Sequence, residues 1–86
     1  MKVKYIIVTS MGIETPIVFS DFLKHSEVAG NREVISAGFV QFGLVDPTDE
    51  DIEATCYGMS TSLDIQSRPE EDSKILTQHL FPKPKY

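Results

Sequence analysis

Hydrophobic and polar positions recur along this chain with the spacing of β-strands. A strongly apolar run at 3–10 predicts a central strand, and residues 15–20 predict a second strand after a turn at Gly12. Alternation at 33–42 and again at 55–65 predicts a third and a fourth strand. We expect the first strand to pair with the second and the third with the fourth, each pair as an antiparallel hairpin.

A short helix is predicted between the second and third strands. Ser20 or Asp21 can cap its start, and the helix is expected to end before Gly30. Phe22 and Leu23 would then face the sheet.

The last helix has the clearest end signals in the sequence. Ser67 and Glu70 fit the spacing of a capping box, and Pro82 marks the end of the helix. The predicted core-facing stripe of this helix consists of Ile75, Leu76, His79 and Leu80.

The element order β-β-α-β-β-α indicates the α+β class, with an antiparallel sheet of about four strands and helices packed on one face. Residues 1–81 are expected to form a single domain, because 86 residues leave too little chain for a second core. Residues 82–86 are expected to be a frayed C-terminal tail.

The composition is that of an ordinary globular domain, with 41% hydrophobic and 24% charged residues. A chain this short has a small stability margin, which favours self-association as a homo-oligomer. Its single cysteine, Cys56, excludes an intramolecular disulfide and a cysteine-based zinc site. The apolar run near the N-terminus is too short for a signal peptide or a membrane span, so we expect a cytoplasmic protein without membrane contact.

The formal net charge of −5 at pH 7 argues against direct nucleic-acid binding, which needs Lys and Arg to neutralise phosphates. Acidity can serve solubility alone. It also suits a protein that competes with nucleic acid for a basic partner.

Small side chains are predicted to share one face of the third and fourth strands. They are Ser36, Gly38, Cys56, Gly58, Ser60 and Ser62. Two interpretations remain open. Either the last helix packs on this face, or the face is a shallow ligand site in which the Ser60 and Ser62 hydroxyls form hydrogen bonds.

Arg68 and the free N–H groups at the start of the last helix are a second candidate site, for a phosphate or carboxylate. Glu70, Glu71 and Asp72 in the first turn repel an anion, which favours an ordinary capped helix start. Arg68 can also pair with Asp64 or Glu71 instead of a ligand.

An acidic segment lies in the predicted loop from Gly43 to Ala54 and has no intervening Lys or Arg. Its acidic residues are Asp46, Asp49, Glu50, Asp51 and Glu53. The segment is either a solvated loop or a surface that docks on a basic partner. Its spacing does not match an EF-hand, and we predict no metal site.

The sequence contains no nucleophile elbow, P-loop, zinc-protease motif or dinucleotide fingerprint, and it predicts neither catalytic residues nor a cofactor. His25 and His79 fall on the predicted helices and belong to no motif. A minor hydrolase with Cys56 as nucleophile is the remaining enzymatic alternative.

Several short segments resemble small accessory proteins encoded by tailed phages and prophages. They are Tyr5-Ile6-Ile7-Val8, Met11-Gly12, Ile17-Val18-Phe19, Ser36-Ala37-Gly38-Phe39, Tyr57-Gly58 and Ser67-Arg68-Pro69-Glu70-x-Asp72. The resemblance implies a role in the cytoplasm of an infected bacterium and favours inhibitors of host enzymes or defence systems. It carries over no catalytic residues.

Two functions follow as hypotheses. The first is a non-enzymatic protein that inhibits or modulates a host protein through the acidic segment. The alternative is a protein that sequesters a small anionic, nucleotide-like molecule on the small-residue face, with Arg68 as the anchor.

Overall fold

A four-stranded antiparallel sheet forms the centre of the computed structural model. The model describes residues 2–46 and 49–82. For residues 45–46 and 49–51 it describes the backbone alone. The elements in chain order are β1 (Val3–Ser10), β2 (Ile13–Ser20), α1 (His25–Ala29), β3 (Glu33–Asp46), β4 (Asp49–Tyr57), β5 (Met59–Ser60), β6 (Ile65–Gln66) and α2 (Pro69–Leu80).

The strand order in the sheet is β2-β1-β3-β4, with every neighbouring pair antiparallel. The predicted pairing of the first strand with the second and of the third with the fourth is confirmed, and β1 joins β3 to link the two hairpins. β1 is central because Tyr5, Ile6 and Ile7 are consecutive apolar residues that are all fully buried.

Both faces of the sheet are covered. Leu76 of α2 packs with Tyr5 and Ile7 on one face, while Ala29 of α1 packs with Ile6 on the other, where the β5–β6 hairpin adds further cover. The predicted α+β class and antiparallel sheet are confirmed, but the expectation that the helices share one face is wrong. Because consecutive apolar side chains of a strand point to both faces of the sheet, each face needs a covering element that excludes water.

The fourth strand ends earlier than the alternation predicted. β4 stops at Tyr57, where Gly58 takes a positive φ of 78°, and the chain then folds into the short β5–β6 hairpin. A positive φ is costly for residues with a Cβ, so Gly58 allows the strand to leave the sheet at this point.

The predicted loop from Gly43 to Ala54 is instead part of a long hairpin. β3 continues to Asp46 and β4 begins at Asp49, with Leu44 opposite Ile52 in the register. Pairing across the hairpin overrides the low β propensity of the acidic residues.

The first helix starts later than predicted. β2 continues through Ser20, whose hydroxyl accepts a hydrogen bond from the Phe22 N–H at 3.1 Å and forms a turn. Phe22 is therefore 86% exposed, and Leu23 is also exposed, whereas His25 and Ala29 are the residues that α1 buries.

The N-cap of the last helix lies one residue later than predicted, and the helix begins at Pro69. Arg68 is the N-cap, and the Ser67 hydroxyl donates instead to the Gly58 carbonyl at 2.7 Å, so the predicted capping box is absent. Of the predicted inner stripe, Leu76 is buried and Ile75 half-buried, whereas His79 and Leu80 are exposed. Of the predicted tail, residues 83–86 lie outside the described part of the chain.

Two glycines in β3 give a matched test of the fold. A Cβ at Gly38 would collide with the Tyr57 carbonyl and lie 3.2 Å from the Ser67 Cβ, whereas a Cβ at Gly43 would meet nothing within 4 Å. We expect Gly38→Ala to lower the free energy of unfolding by about 1–3 kcal/mol and Gly43→Ala to leave it unchanged or slightly raised. Urea unfolding of both variants measures this, and an equal loss in the two would contradict the packing described for Gly38.

Candidate functional site

A buried carboxylate on α2 is bonded to the centre of the sheet. Asp72 has no exposed surface, and its Oδ2 accepts hydrogen bonds from the Tyr5 hydroxyl at 2.5 Å and the Arg68 backbone N–H at 2.9 Å. Its Oδ1 accepts from the Ser36 hydroxyl at 2.9 Å and from Arg68 Nε at 3.1 Å. A buried carboxylate is tolerated only with such full bonding and a paired cation.

The Arg68 guanidinium is shared among three carboxylates. One Nη contacts Glu14 at 2.7 Å and Asp72 at 2.9 Å, and the other contacts Glu71 at 3.0 Å. Because Glu14 lies on β2, this arginine ties the edge of the sheet to the start of α2. The arrangement favours a structural role for Arg68 over the predicted role as a ligand anchor.

Tyr5 and Cys56 adjoin this carboxylate and remain protonated at neutral pH. Burial, with help from the Asp72 hydrogen bond, raises the pKa of Tyr5 far above its ordinary value. Burial also raises the pKa of the Cys56 thiol to about 11. His25 packs on the opposite face of the sheet and His79 is exposed near the end of α2, so this arrangement supplies Cys56 with no histidine base.

The predicted small-residue face is divided between the two sides of the sheet. Ser36 and Gly38 lie under the start of α2, where the Ser36 hydroxyl bonds Asp72 and Gly38 adjoins Ser67. Cys56 lies under α2 as well, so the interpretation that the last helix needs this space is correct for these three residues.

The remaining predicted residues lie on the α1 side, because the chain leaves the sheet at Gly58. Ser60 is buried and its hydroxyl accepts a hydrogen bond from the Leu63 N–H at 3.1 Å, which shapes the turn of the β5–β6 hairpin. Gly58 and Ser62 line a cavity of about 540 Å³ together with Lys4 and Lys24. The expectation of a single shared face is therefore wrong, although two of its residues do border a cavity.

The acidic segment lies along the outer part of the β3–β4 hairpin, here called the arm and defined as residues 41–46 and 49–54. The side chain of Glu53 is exposed. The side chains of Asp46, Asp49, Glu50 and Asp51 fall outside the described part, so their predicted role in partner binding stays a prediction.

Apolar side chains are exposed on the face of the arm that continues the α2 side of the sheet. This arm patch consists of Phe42, Leu44 and Ile52 of the arm together with the end of α2, where Leu80 is exposed and Phe81 is half-buried. Leu44 is 61% exposed and pairs with Ile52, and the Phe42 and Phe81 rings meet edge to face at 5.7 Å. The patch is open because α2 ends at Leu80 while the two strands continue beyond it.

α2 also covers part of the free edge of β4. Its Ser73 and Thr77 hydroxyls accept hydrogen bonds from the Cys56 N–H at 2.8 Å and the Ala54 N–H at 2.9 Å. These hydroxyls take the place of a neighbouring strand, and a groove of about 520 Å³ runs beside them. The groove leads toward the arm, and Glu53 is among its lining residues.

The described residues contain no group of three or more His, Cys, Asp or Glu side chains that could hold a metal ion. Over the same part of the chain, no helix is long and apolar enough to cross a membrane.

Comparison with known proteins yields no relative: no protein-family model matches the chain, and neither the curated proteins nor the solved structures contain a match.

The sequence does not predict Asp72 to be buried, because exposed carboxylates are common in the first turn of a helix, where Asp72 follows Glu70 and Glu71. Asp72 stands four positions before Leu76, so both lie on the same face of α2. A carboxylate that shares a helix face with core residues indicates a buried carboxylate with hydrogen-bonding partners in the core. The lysines of the cavity gave no signal, because Lys4 and Lys24 are far apart in sequence.

We expect the Asp72 carboxylate to dominate the stability of the domain. Asp72→Asn keeps the shape but removes the charge that pairs with Arg68, and it should lower the free energy of unfolding by about 3–5 kcal/mol. Glu71→Gln is the control, because Glu71 contacts the same arginine with a side chain that is 69% exposed, and it should cost about 0–1 kcal/mol. Urea unfolding measures both.

If Asp72→Asn is too unstable to purify, Tyr5→Phe removes one of the hydrogen bonds to this carboxylate and should cost about 1–3 kcal/mol. Losses for Asp72→Asn and Glu71→Gln that match each other would show that the network is not the main support of α2.

We expect Cys56 to be unreactive in the folded protein. With its pKa raised to about 11 and its side chain buried, the thiol should react with a disulfide reagent at least about 100-fold more slowly than in the guanidinium-unfolded chain at the same pH. Absorbance of the released thiolate follows the reaction. Equal rates in the folded and unfolded protein would mean that the thiol is accessible and would reopen the hydrolase alternative.

Proposed function

We propose that this protein is a non-enzymatic binding protein whose arm contacts a basic, partly apolar surface on another protein. The proposal rests on one observation: the arm patch is exposed on a hairpin whose sequence from Gly43 to Ala54 carries five acidic residues and no Lys or Arg. Apolar patches rimmed by charge are typical of protein interaction sites.

The two components of the arm have different physical roles. The arm patch supplies apolar area whose burial stabilises the complex and slows dissociation. The acidic residues attract a positively charged surface and speed association, an effect that weakens as salt increases.

The charge of the arm argues for a different protein as partner rather than a second copy. A symmetric dimer formed through two arms would bring two uniformly acidic segments together, and like charges across an interface are costly. The predicted homo-oligomer would therefore use another surface, and native mass spectrometry of the purified protein tests for it.

The resemblance to small proteins of tailed phages supports a biological setting for this interaction. In that setting the protein acts in the bacterial cytoplasm, and the partner is a host enzyme or defence protein with a basic site. An acidic arm that occupies such a site would inhibit the partner by competing with its own anionic ligand.

The acidic residues also have a simpler explanation. β4 is an edge strand, and charges on edge strands prevent strands of different molecules from pairing. Under this explanation the arm residues affect solubility alone, and their removal would cause aggregation without loss of a partner.

We expect combined Asp49→Asn, Glu50→Gln and Asp51→Asn substitutions to weaken partner binding about 10-fold, mainly through slower association. The matched control is Asp21→Asn, Glu33→Gln and Asp64→Asn, which changes the net charge equally at exposed positions outside the arm. Affinity capture from bacterial lysate with quantitative mass spectrometry identifies the partner, and surface plasmon resonance at two salt concentrations then measures binding to the purified partner.

A second pair of substitutions tests the apolar component of the arm. Leu44→Ser should speed dissociation about 10-fold, whereas Ile13→Ser, at an apolar residue that is 67% exposed outside the arm, should leave it unchanged. A captured protein supports the proposal only if its contact surface is basic and both arm variants weaken binding. Binding that survives both sets of arm substitutions, or aggregation without loss of affinity, would contradict it.

A further inference from the structure

A second cavity lies on the α1 side of the sheet, between α1 and the chain from Gly58 to Ser62. It encloses about 540 Å³, which is within the range of small-molecule sites. Its lining includes Lys4, Lys24, His25, Phe39, Thr61 and Ser62. β3 contributes Phe39, from the middle of the strand, and the chain just after it leaves β4 contributes Gly58 to Ser62.

Positive charge is concentrated around this cavity although the chain as a whole is acidic. Lys4 and Lys24 line it, and Lys2 Nζ lies 5.4 Å from the centre of the Phe39 ring, which also lines it. These are three of the eight Lys and Arg residues of a protein with a net charge of −5. The cavity lining thus contains two cations and no carboxylate, on a protein whose net charge is negative.

Protein carboxylates do not neutralise this charge in the described part of the chain. All ion pairs found there involve Arg68, and none involves Lys2, Lys4 or Lys24. Glu27 lies three residues after Lys24, and its Oε1 accepts a hydrogen bond from the Lys24 backbone N–H at 3.1 Å. Lys4 Nζ donates to the Leu23 carbonyl at 2.9 Å, which orients its ammonium group at the cavity.

The rest of the lining is neutral and partly aromatic. His25 Nε2 donates to the Gly38 carbonyl at 2.8 Å, and burial lowers the pKa of His25, so this wall stays uncharged at neutral pH. Phe39 stacks on Tyr57 and receives the edge of the His25 ring. Thr61 and Ser62 add hydroxyl groups to the lining.

We propose that this cavity binds a small phosphorylated molecule of nucleotide size, with its phosphates near Lys2, Lys4 and Lys24 and its remainder against Phe39 and the Gly58–Ser62 turn. The ligand class is that of the alternative hypothesis, but the site is this cavity rather than the small-residue face with Arg68. Gly58 and Ser62 are the residues common to both.

The charge distribution favours a small anion over a nucleic acid. A polyanion bound at this cavity would extend across the acidic remainder of the surface, where repulsion opposes binding. A single nucleotide or a comparable phosphorylated metabolite fits within the positive region and avoids that repulsion.

Isothermal titration calorimetry with ATP, GTP and pyrophosphate at low salt tests the proposal. We expect at least one nucleotide to bind with a Kd below about 1 mM and more tightly than pyrophosphate, because the neutral wall contacts the rest of the molecule. Lys24→Gln should weaken that binding about 10-fold, because a charge-assisted hydrogen bond is lost. Lys74→Gln, with the same charge change at an exposed position on α2, should alter it less than about 2-fold.

Lys24 is the chosen position because its side chain is exposed, whereas Lys4 bonds the Leu23 carbonyl. Absence of binding by all three probes, or equal weakening by Lys24→Gln and Lys74→Gln, would overturn the proposal. Because the cavity and the arm patch share no residue, Lys24→Gln should not change partner binding by the arm, and the two proposals can fail separately.

Discussion

The bonding of the buried Asp72 carboxylate determines where α2 lies, and the position of α2 in turn determines which parts of the sheet remain exposed. A carboxylate without access to water is tolerated only where donors surround it, and Asp72 has its donors on β1, on β3 and at its own helix start. Tyr5 is a core residue of the central strand, so the helix can meet this requirement in essentially one position. The same carboxylate accepts the Arg68 N–H at the first turn, where the predicted Ser67 cap does not act.

The helix positioned in this way is shorter than the strands that it covers. A helix of 12 residues spans about 18 Å, whereas a strand of 9 residues spans about 30 Å. α2 uses two adjacent rows of side chains: Asp72 and Leu76 face the interior, and Ser73 and Thr77 bond the edge of β4. Phe81, just after α2, still packs on Phe42, and the arm projects beyond this contact with Leu44 and Ile52 exposed.

Sequence patterns predicted the parts of the fold that depend on local conformational preference. They failed where contacts with residues distant in sequence determine the conformation. The apolar run at 5–7 identified a central strand, because its β-branched and aromatic residues favour a strand and a strand buries three consecutive residues only when both its faces are covered. The acidic residues between Gly43 and Ala54 have turn-like preferences, and their strand conformation results from pairing across the hairpin. At Gly58 the alternation continued in the sequence, but the backbone conformation that glycine permits ended the strand.

The same limitation applies to the sites. The acidic composition of the segment from Asp46 to Glu53 is local in sequence and could be identified there, although its strand conformation could not. The positive cavity combines Lys4, Lys24 and Ser62, which only the folded chain brings together. Isolated lysines in an acidic sequence do not indicate a site, and their significance depends on the absence of carboxylate partners in the described structure.

The two candidate surfaces lie on opposite faces of the sheet, because side chains of the same strand, β3, alternate between those faces. Phe39 lines the cavity on the α1 side, and Phe42, three positions later on β3, belongs to the arm patch on the α2 side. Positions of opposite parity in a strand point to opposite faces, so a ligand at the cavity and a partner on the arm would not collide. They would still share one strand, since β3 contributes the Phe39 ring to one site and the Phe42 ring to the other. The backbone pairs Phe39 with Tyr57 and Phe42 with Ala54, so adjacent parts of one β3–β4 ladder hold the aromatic rings of both candidate sites.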